Sequence, residues 1–331
     1  MRTGTESAIN NNSSPDSSAS SAGDRAIGAL VGLVCGDAVG TTLEFRSPGS
    51  FEPIDDMVGG GPFGLEPGQW TDDTSMALCL AESIIETGGM DQADQMRRYL
   101  RWRDDGHLSS NGRCFDIGFT TNEQLSRFEL TGVPVDPDVD DDACANGSLM
   151  RLAPAAIRWT DPVEVALMAA ESSRPTHAAD RPLDACRLMA TMLAALISGA
   201  TWSEVTSPGY WNGSELHSTI QEIADGSYRI AGRRIRGSGY CVEALEAALW
   251  AVDGASDFRS AVLRAANLGD DADTTAAIAG QLAGARWGRS GIPAEWLERL
   301  TMGDEIVAMA RALHAASSET DAAGPDAGGN R

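Results

Sequence analysis

Two acidic segments carry residue types and spacings from which chemistry can be built. Gln69-Trp70-Thr71-Asp72-Asp73-Thr74-Ser75 stands directly before an apolar run that begins near Met76. Asn267-Leu268-Gly269-Asp270-Asp271-Ala272-Asp273-Thr274-Thr275 stands directly before another, over 276–288. Each puts carboxylates and hydroxyls at the start of a helix, where plain N-capping needs one such side chain. Each offers two or three aspartates, and adjacent like charges in a packed region call for a cation. If the segments meet, they supply Asp72, Asp73, Asp271 and Asp273 together with the hydroxyls of Thr71 and Thr274. This all-oxygen, hard set suits Mg2+ or Mn2+ and disfavours Zn2+ or Cu. It exceeds what one Mg2+ takes from a protein. A pair of ions about 3.5–4 Å apart would use it, polarising a water and holding substrate hydroxyls.

The elements that must position these residues read as helices. Met76, Leu80 and Ile84 recur every fourth residue, with Ala77, Ala81 and Ile85 beside them. Similar runs lie near 25–40, 91–104, 146–158, 163–173, 181–199, 239–253, 258–267, 273–288 and 293–313. Gly, Pro and Asp break the pattern at 46–70, 105–113, 132–145, 202–214, 226–238 and 289–292. Period-two alternation is confined to a short stretch near 228–236. No repeat and no Pro/Gly-rich linker divides the middle. The expectation is all-α: a single compact helical domain over 24–315, between disordered tails at 1–23 and 316–331. On the helix after Thr275, Ala276, Gly280, Ala283 and Gly284 form a stripe of small residues that allows close helix approach.

Composition narrows the function. The 331 residues carry 25 basic and 48 acidic side chains, a formal charge of −23, and every basic one is arginine. Without lysine there is no Schiff base and no Walker-type phosphate lysine. Nucleic acid and anionic membrane surfaces are poor partners for such a charge. The stretch Leu188–Ala200 reads as the longest apolar one and is too short for a bilayer. The polar N-terminus has no apolar signal region. Six scattered cysteines without a CxxC read as reduced, mostly buried thiols of a cytoplasmic protein. Three motifs fail. Gly59, Gly61 and Gly64 match GxGxxG without a preceding strand, so they read as a turn-rich loop. Asp136, Asp138 and Asp140 begin a calcium loop that lacks its turn glycine and final glutamate. The four histidines have no zinc-ligand spacing.

The two acidic segments belong to a set of blocks in a fixed order along the chain. These are the run Gly28–Gly40 followed by Glu44, Trp70–Thr74, Phe115–Gly118, Asn146–Arg151, Thr176-His177 and Gly269–Thr274. In this order and spacing, over residues 25–313, the chain resembles the ADP-ribosylglycohydrolases. The resemblance implies an all-α domain with a binuclear Mg2+/Mn2+ site at the N-termini of central helices. It implies hydrolysis of the bond between ADP-ribose and an acceptor side chain. Carried over residue by residue, it implies metal ligation by Thr71, Asp72, Asp73, Asp271, Asp273 and Thr274. Asp270, where many members have glycine, stays outside the ligand set. Glu44 matches a glutamate beside the metals, against a plain reading as a partly exposed loop acid. Asp116 matches an aspartate facing the scissile ribose, against a plain reading as a helix N-cap. These two are the candidates for moving protons.

The diphosphate must be held by backbone N–H groups, hydroxyls or arginine. Asn146, Gly147 and Ser148, at a helix start, fit that need. Arg151, one turn later, is expected to pair with the acidic wall. His177 matches a histidine near the ribose, against a plain reading as a satisfied structural residue. Tyr240 is a candidate for stacking on adenine, against a plain reading as a core residue after a turn. The expected activity is removal of ADP-ribose from a protein, most readily from arginine. The partners are then an ADP-ribosylated protein or small ADP-ribose conjugate and the ADP-ribose product. O-linked ADP-ribose (on serine or acetate) is the alternative linkage. A catalytically idle ADP-ribose-binding protein is the alternative class.

Overall fold

In a computed structural model, the chain is described over residues 20–322, with side chains to residue 317. Fourteen α-helices follow in order: α1 Ala22–Gly40, α2 Asp72–Thr87, α3 Gln92–Asp105, α4 Phe119–Thr131, α5 Ala153–Arg158, α6 Pro162–Ser173 and α7 Asp180–Ser198, then α8 Trp202–Val205, α9 Ser218–Ala224, α10 Cys241–Asp253, α11 Phe258–Ala266, α12 Ala272–Trp287, α13 Ala294–Arg299 and α14 Gly303–Ala322. Among the described residues there is no strand, only two isolated bridges, Gly60 with Leu65 and Ala145 with Tyr240.

The centre is α1, packed antiparallel to α12 by a seam of small residues. A Cβ on Gly32 would lie 2.3 Å from the Gly280 carbonyl oxygen, and one on Gly284 1.9 Å from that of Gly28. Gly36 faces Ala276 and Gly40 faces Ala272 in the same way. Backbone therefore touches backbone along four turns, which only glycine and alanine permit. The C-terminus of α1 comes to rest beside the N-terminus of α12. The other core helices surround this pair: α2, α5, α7, α10, α11 and α14 all bury apolar faces in one continuous core. A smaller cluster of Met76, Cys79, Met96, Tyr99, Trp102, Leu125, Phe128 and Met150 joins α2, α3 and α4. That cluster fixes the start of α4, and with it residues 116–119.

Several expectations change. The segment Ala22–Leu43 is longer than 188–200 and, among the described residues, is the one that reaches bilayer length. Its best window has a mean hydropathy of 1.7 and is 89% buried inside the protein. It is long and apolar enough for a bilayer, yet here its surface is covered by neighbouring helices. At the two ends, Ser21 caps α1 by accepting from the Asp24 N–H, and α14 continues to Ala322. The rest of the two expected tails, 1–19 and 323–331, lies outside the described residues. Helices α4 and α9 arise where the periodicity gives none, because few of their residues are apolar. The expected helix 146–158 is a turn over 146–151 followed by the short α5. The run 293–313 is interrupted between α13 and α14. Residues 228–236 contain a 3-10 turn and no strand. All six cysteines are free thiols, five of them buried.

Candidate active site

The two acidic segments do meet, through a residue the sequence reading passed over. Asp37, on the last turn of α1 and fully buried, points at the N-terminus of α2. Its carboxylate accepts from the Thr71 N–H (2.9 and 3.1 Å), the Thr71 hydroxyl (2.9 Å), the Thr74 N–H (3.0 Å) and the Thr74 hydroxyl (2.7 Å). Asp37 is thus the cap of α2, supplied from another helix. Neither Thr71 nor Asp271, the residues at the N-cap positions of α2 and α12, makes a side-chain capping bond. The plain capping reading of both segments fails, and the helices begin earlier than expected. Asp72, Asp73 and Asp273 sit inside the first turns, buried. The sequence signal for Asp37 was a single carboxylate within an otherwise apolar helix.

The oxygen atoms converge. The Thr71 hydroxyl lies 3.4 Å from oxygens of both Asp73 and Asp273. The Thr274 hydroxyl donates to Asp73 across 3.2 Å, and Asp273 accepts from the Thr274 N–H at 2.8 Å. Asp271 accepts from the Asn146 side-chain amide at 2.6 Å. Glu44, Asp116 and Asp273 each place a carboxylate oxygen within 4.8 Å of the others, a grouping able to hold a metal ion. Glu44 is buried, not a partly exposed loop acid. Asp116 is not a cap either, since α4 begins after Gly118.

With Asp37, seven carboxylates crowd here, and among the described residues no ion pair reaches any of them. At an effective dielectric of about 20, two unit charges 4 Å apart repel by about 4 kcal/mol, so seven bare charges cannot coexist. Burial, then the neighbouring acids, holds Asp72, Asp73, Asp273 and Glu44 far above the usual carboxylate range. Burial lifts Asp116 to about 7 and Asp37, despite its hydrogen bonds, to about 6. Asp271 is also raised by burial, against the pull of the Asn146 bond. One oxygen each of Asp73 and Glu44 is buried with no hydrogen-bond partner. Orphaned buried carboxylate oxygens in a set without cations fit hard divalent ions.

The cluster floors a cavity of ≈ 520 Å3, within the range of small-molecule sites. Glu44, Asp72, Asp116, Asp271, Asp273, Thr274, Asn146, Gly147 and His177 all line it. Three residues at its wall, Phe45 (φ 60°), Asp116 (φ 62°) and Asp270 (φ 63°), have left-handed backbones, a strain that collects at functional sites.

The substrate-side candidates divide. Gly147 and Ser148 donate no backbone N–H bond among the described residues, and of the two Gly147 lines the cavity. The Ser148 hydroxyl, in contrast, is buried against Ser173 at 2.8 Å, away from the cavity. Arg151 departs from expectation: it pairs with no acid. It donates to the Gly147 carbonyl (2.7 Å) and the Thr176 hydroxyl (2.6 Å), and its guanidinium lies over the Tyr99 ring. The Thr176 hydroxyl also hydrogen-bonds His177 Nδ1 at 2.8 Å and has the Ser173 carbonyl 3.5 Å away as a second acceptor. The Cε1–Nε2 edge of His177 lies against Gly147, where a Cβ would come within 2.8–3.2 Å of it. Burial, reinforced by Arg151, lowers its pKa to about 3, so the ring is neutral. Tyr240 does not line this cavity; it borders a neighbouring open depression with Arg233 and Arg234. The glycine run at 59–64 is the loop expected of it, and the Asp138–Asp142 stretch is exposed.

Comparisons with known proteins agree with this geometry. The ADP-ribosylglycohydrolase family profile matches residues 18–323. The chain is 44% identical over 307 residues to the ADP-ribosylarginine hydrolase Tri1 of Pseudomonas putida, covering 90% of this chain and 80% of that one. It is 33% identical over 286 residues to the ADP-ribosyl-[dinitrogen reductase] glycohydrolase of Rhodospirillum rubrum, covering 84% and 91%. A solved structure titled "ADP-ribosylglycohydrolase-related protein complex" superposes with a TM-score of 0.79 at 39% identity, over 89% of this chain and 99% of that one. With the blocks in order, the all-α fold and the acidic cavity at two helix starts, the chain belongs to the ADP-ribosylglycohydrolases, a family of hydrolytic enzymes.

Proposed function

We propose that the protein removes ADP-ribose from modified arginine side chains by hydrolysing the N-glycosidic bond, using two divalent cations. The observation that carries this reading is the set of buried, cation-free carboxylates with orphaned oxygens at the floor of a ligand-sized cavity. The arginine linkage rests on the two Tri1 relatives named ADP-ribosylarginine hydrolase, 44% and 43% identical. Thr71, Asp72, Asp73, Asp271, Asp273 and Thr274 would hold Mg2+ or Mn2+, which supply positive charge and Lewis acidity beside the ribose.

The chain's own groups do the rest. Asp37 accepts the hydrogen bond of the Thr71 hydroxyl and so leaves that oxygen's lone pairs facing Asp73 and Asp273. Asn146 fixes the Asp271 carboxylate by donating to it. The amides of Gly147 and Ser148 meet the diphosphate as neutral donors, which a chain without lysine requires. The neutral ring of His177 meets the ribose side of the ligand. Asp116 or Glu44 accepts a proton from the attacking water and returns one to the departing nitrogen, a transfer that contributes about 10²–10⁴-fold. The substrate is a modified protein or a small ADP-ribose conjugate, and the setting is cytoplasmic.

The same centre acting on O-linked ADP-ribose, as the serine O-glycoside or the acetyl ester, is the second reading, because the acceptor lies outside the ADP-ribose contacts. A panel of arginine-, serine- and acetyl-linked ADP-ribose, assayed with Mg2+ and with Mn2+, tests it. Metal-dependent release from arginine is the expected result. Release from serine alone favours the second reading, and binding without release marks an idle relative.

A further inference from the structure

Scattered exposed apolar side chains need no explanation, but two of the largest here stand at the cavity. Phe45 is 66% and Phe119 82% exposed, and both line it. Phe45 follows Glu44, and Phe119 lies three residues after Asp116, and all four residues line the cavity. Phe45 is held in place by strain and by pairing. Its left-handed backbone donates to the Asp270 carbonyl at 2.7 Å, and Asp270, also left-handed, donates back to the Arg46 carbonyl at 2.7 Å. The Phe45 ring meets Phe63 at 6.4 Å between centroids, and Phe63 meets Phe115 at 5.1 Å. Asp270 is exposed and lines the same cavity, yet it is not in the proposed ligand set. The lining residues include six acids, no arginine and a neutral histidine.

Exposed rings beside an unpaired carboxylate are complementary to one chemical group, a planar cation. In ADP-ribosylarginine the group on the far side of the scissile bond is a guanidinium, both planar and cationic. A serine acceptor offers neither property. We propose that Phe45, Phe119 and Asp270 form the subsite that receives the guanidinium of the modified arginine, and so set the linkage the enzyme prefers. The inference rests on the hydrolase reading above.

The test is the kinetics of Phe45→Leu, Phe119→Leu and Asp270→Asn on arginine- and serine-linked substrates, with calorimetry of ADP-ribose binding. Leucine keeps apolar surface and removes the ring; asparagine keeps shape and removes the charge. A guanidinium gripped equally before and during bond cleavage affects KM more than kcat. Each ring is expected to raise KM for the arginine substrate about three- to twentyfold, and Asp270→Asn about two- to fivefold. The rise exceeds that on the serine substrate, and ADP-ribose affinity, which reports the correctly folded site, is retained. Equal losses on both linkages, or unchanged KM in all three variants, overturn the subsite while leaving the hydrolase reading intact. A wild-type protein that frees no ADP-ribose from arginine overturns both.

Discussion

Replacing Gly36 by alanine sets two physical effects against each other. Helix propensity favours the change by about 1 kcal/mol, since alanine is the best helix former and glycine among the worst. Packing opposes it. A Cβ at this position would lie 2.0 Å from the Ala276 carbonyl oxygen, 2.5 Å from its carbon and 2.8 Å from the Ala277 Cα. All three obstacles are backbone, so no rotamer can yield. Reaching even 3.0 Å from the oxygen means parting α1 from α12 by about 1 Å, and overpacking of this kind costs typically about 1–3 kcal/mol or more. With backbone on both sides the upper end applies, leaving a net loss of about 2 kcal/mol. For a domain of this size that lowers Tm by about 3 °C. The separation also shifts Asp37 from Asp273, so Mn2+ affinity falls as well. Thermal and urea unfolding measure the first effect and calorimetry the second. Gly23→Ala, in the same helix, meets nothing nearer than 3.6 Å and is the control, with stability equal to or above wild type. If Gly36→Ala is as stable as the control, the backbone seam does not hold the two helices as argued.

The remaining predictions concern the site. Asp271→Asn removes a carboxylate and turns a second amide toward Asn146, so metal affinity and turnover should each drop more than about a hundredfold. Full rate in this variant without added divalent ion would sink the metal mechanism. The pH dependence has a definite sign. Asp37 at about 6 and Asp116 at about 7 are raised above the ordinary carboxylate value near 4. Between roughly pH 4 and 7 the fold therefore binds more protons than the unfolded chain, and stability falls as pH rises through that window. Melting in chelator from pH 5 to 8 should show Tm declining, and Mn2+ should restore most at the upper end. A metal-free Tm that climbs with pH is incompatible with these buried acids.

What the sequence disclosed, and what it withheld, follows from the range of the forces involved. The acid-rich starts of α2 and α12 were legible because each is a local cluster of charge beside an apolar run. The small-residue stripe on α12 was legible as a periodicity, but its partner on α1 was not. Glycine every fourth residue has no side chain to signal which helix will meet it. Asp37 hid for a related reason: its role is to cap a helix that begins 35 residues later, and no local pattern encodes that. Arg151 was expected beside the acids on charge alone, whereas Gly147, Thr176 and Tyr99 hold it through directional contacts. The polar α4 lacked a continuous apolar face, although it carries Phe119 to the mouth of the cavity.

The seam between α1 and α12 also has a consequence in time. Gly40 and Ala272, which face each other in the folded protein, are separated by most of the chain. At about 5–20 residues per second, a ribosome needs roughly 10–50 s to make the intervening segment. Throughout that interval α1, long and apolar enough to cross a bilayer, has been synthesised without the surface that covers it. The acidic residues of the first half likewise wait for Asp271 and Asp273. Birth of the site is therefore a late event of synthesis, and the nascent α1 is the segment most in need of a chaperone.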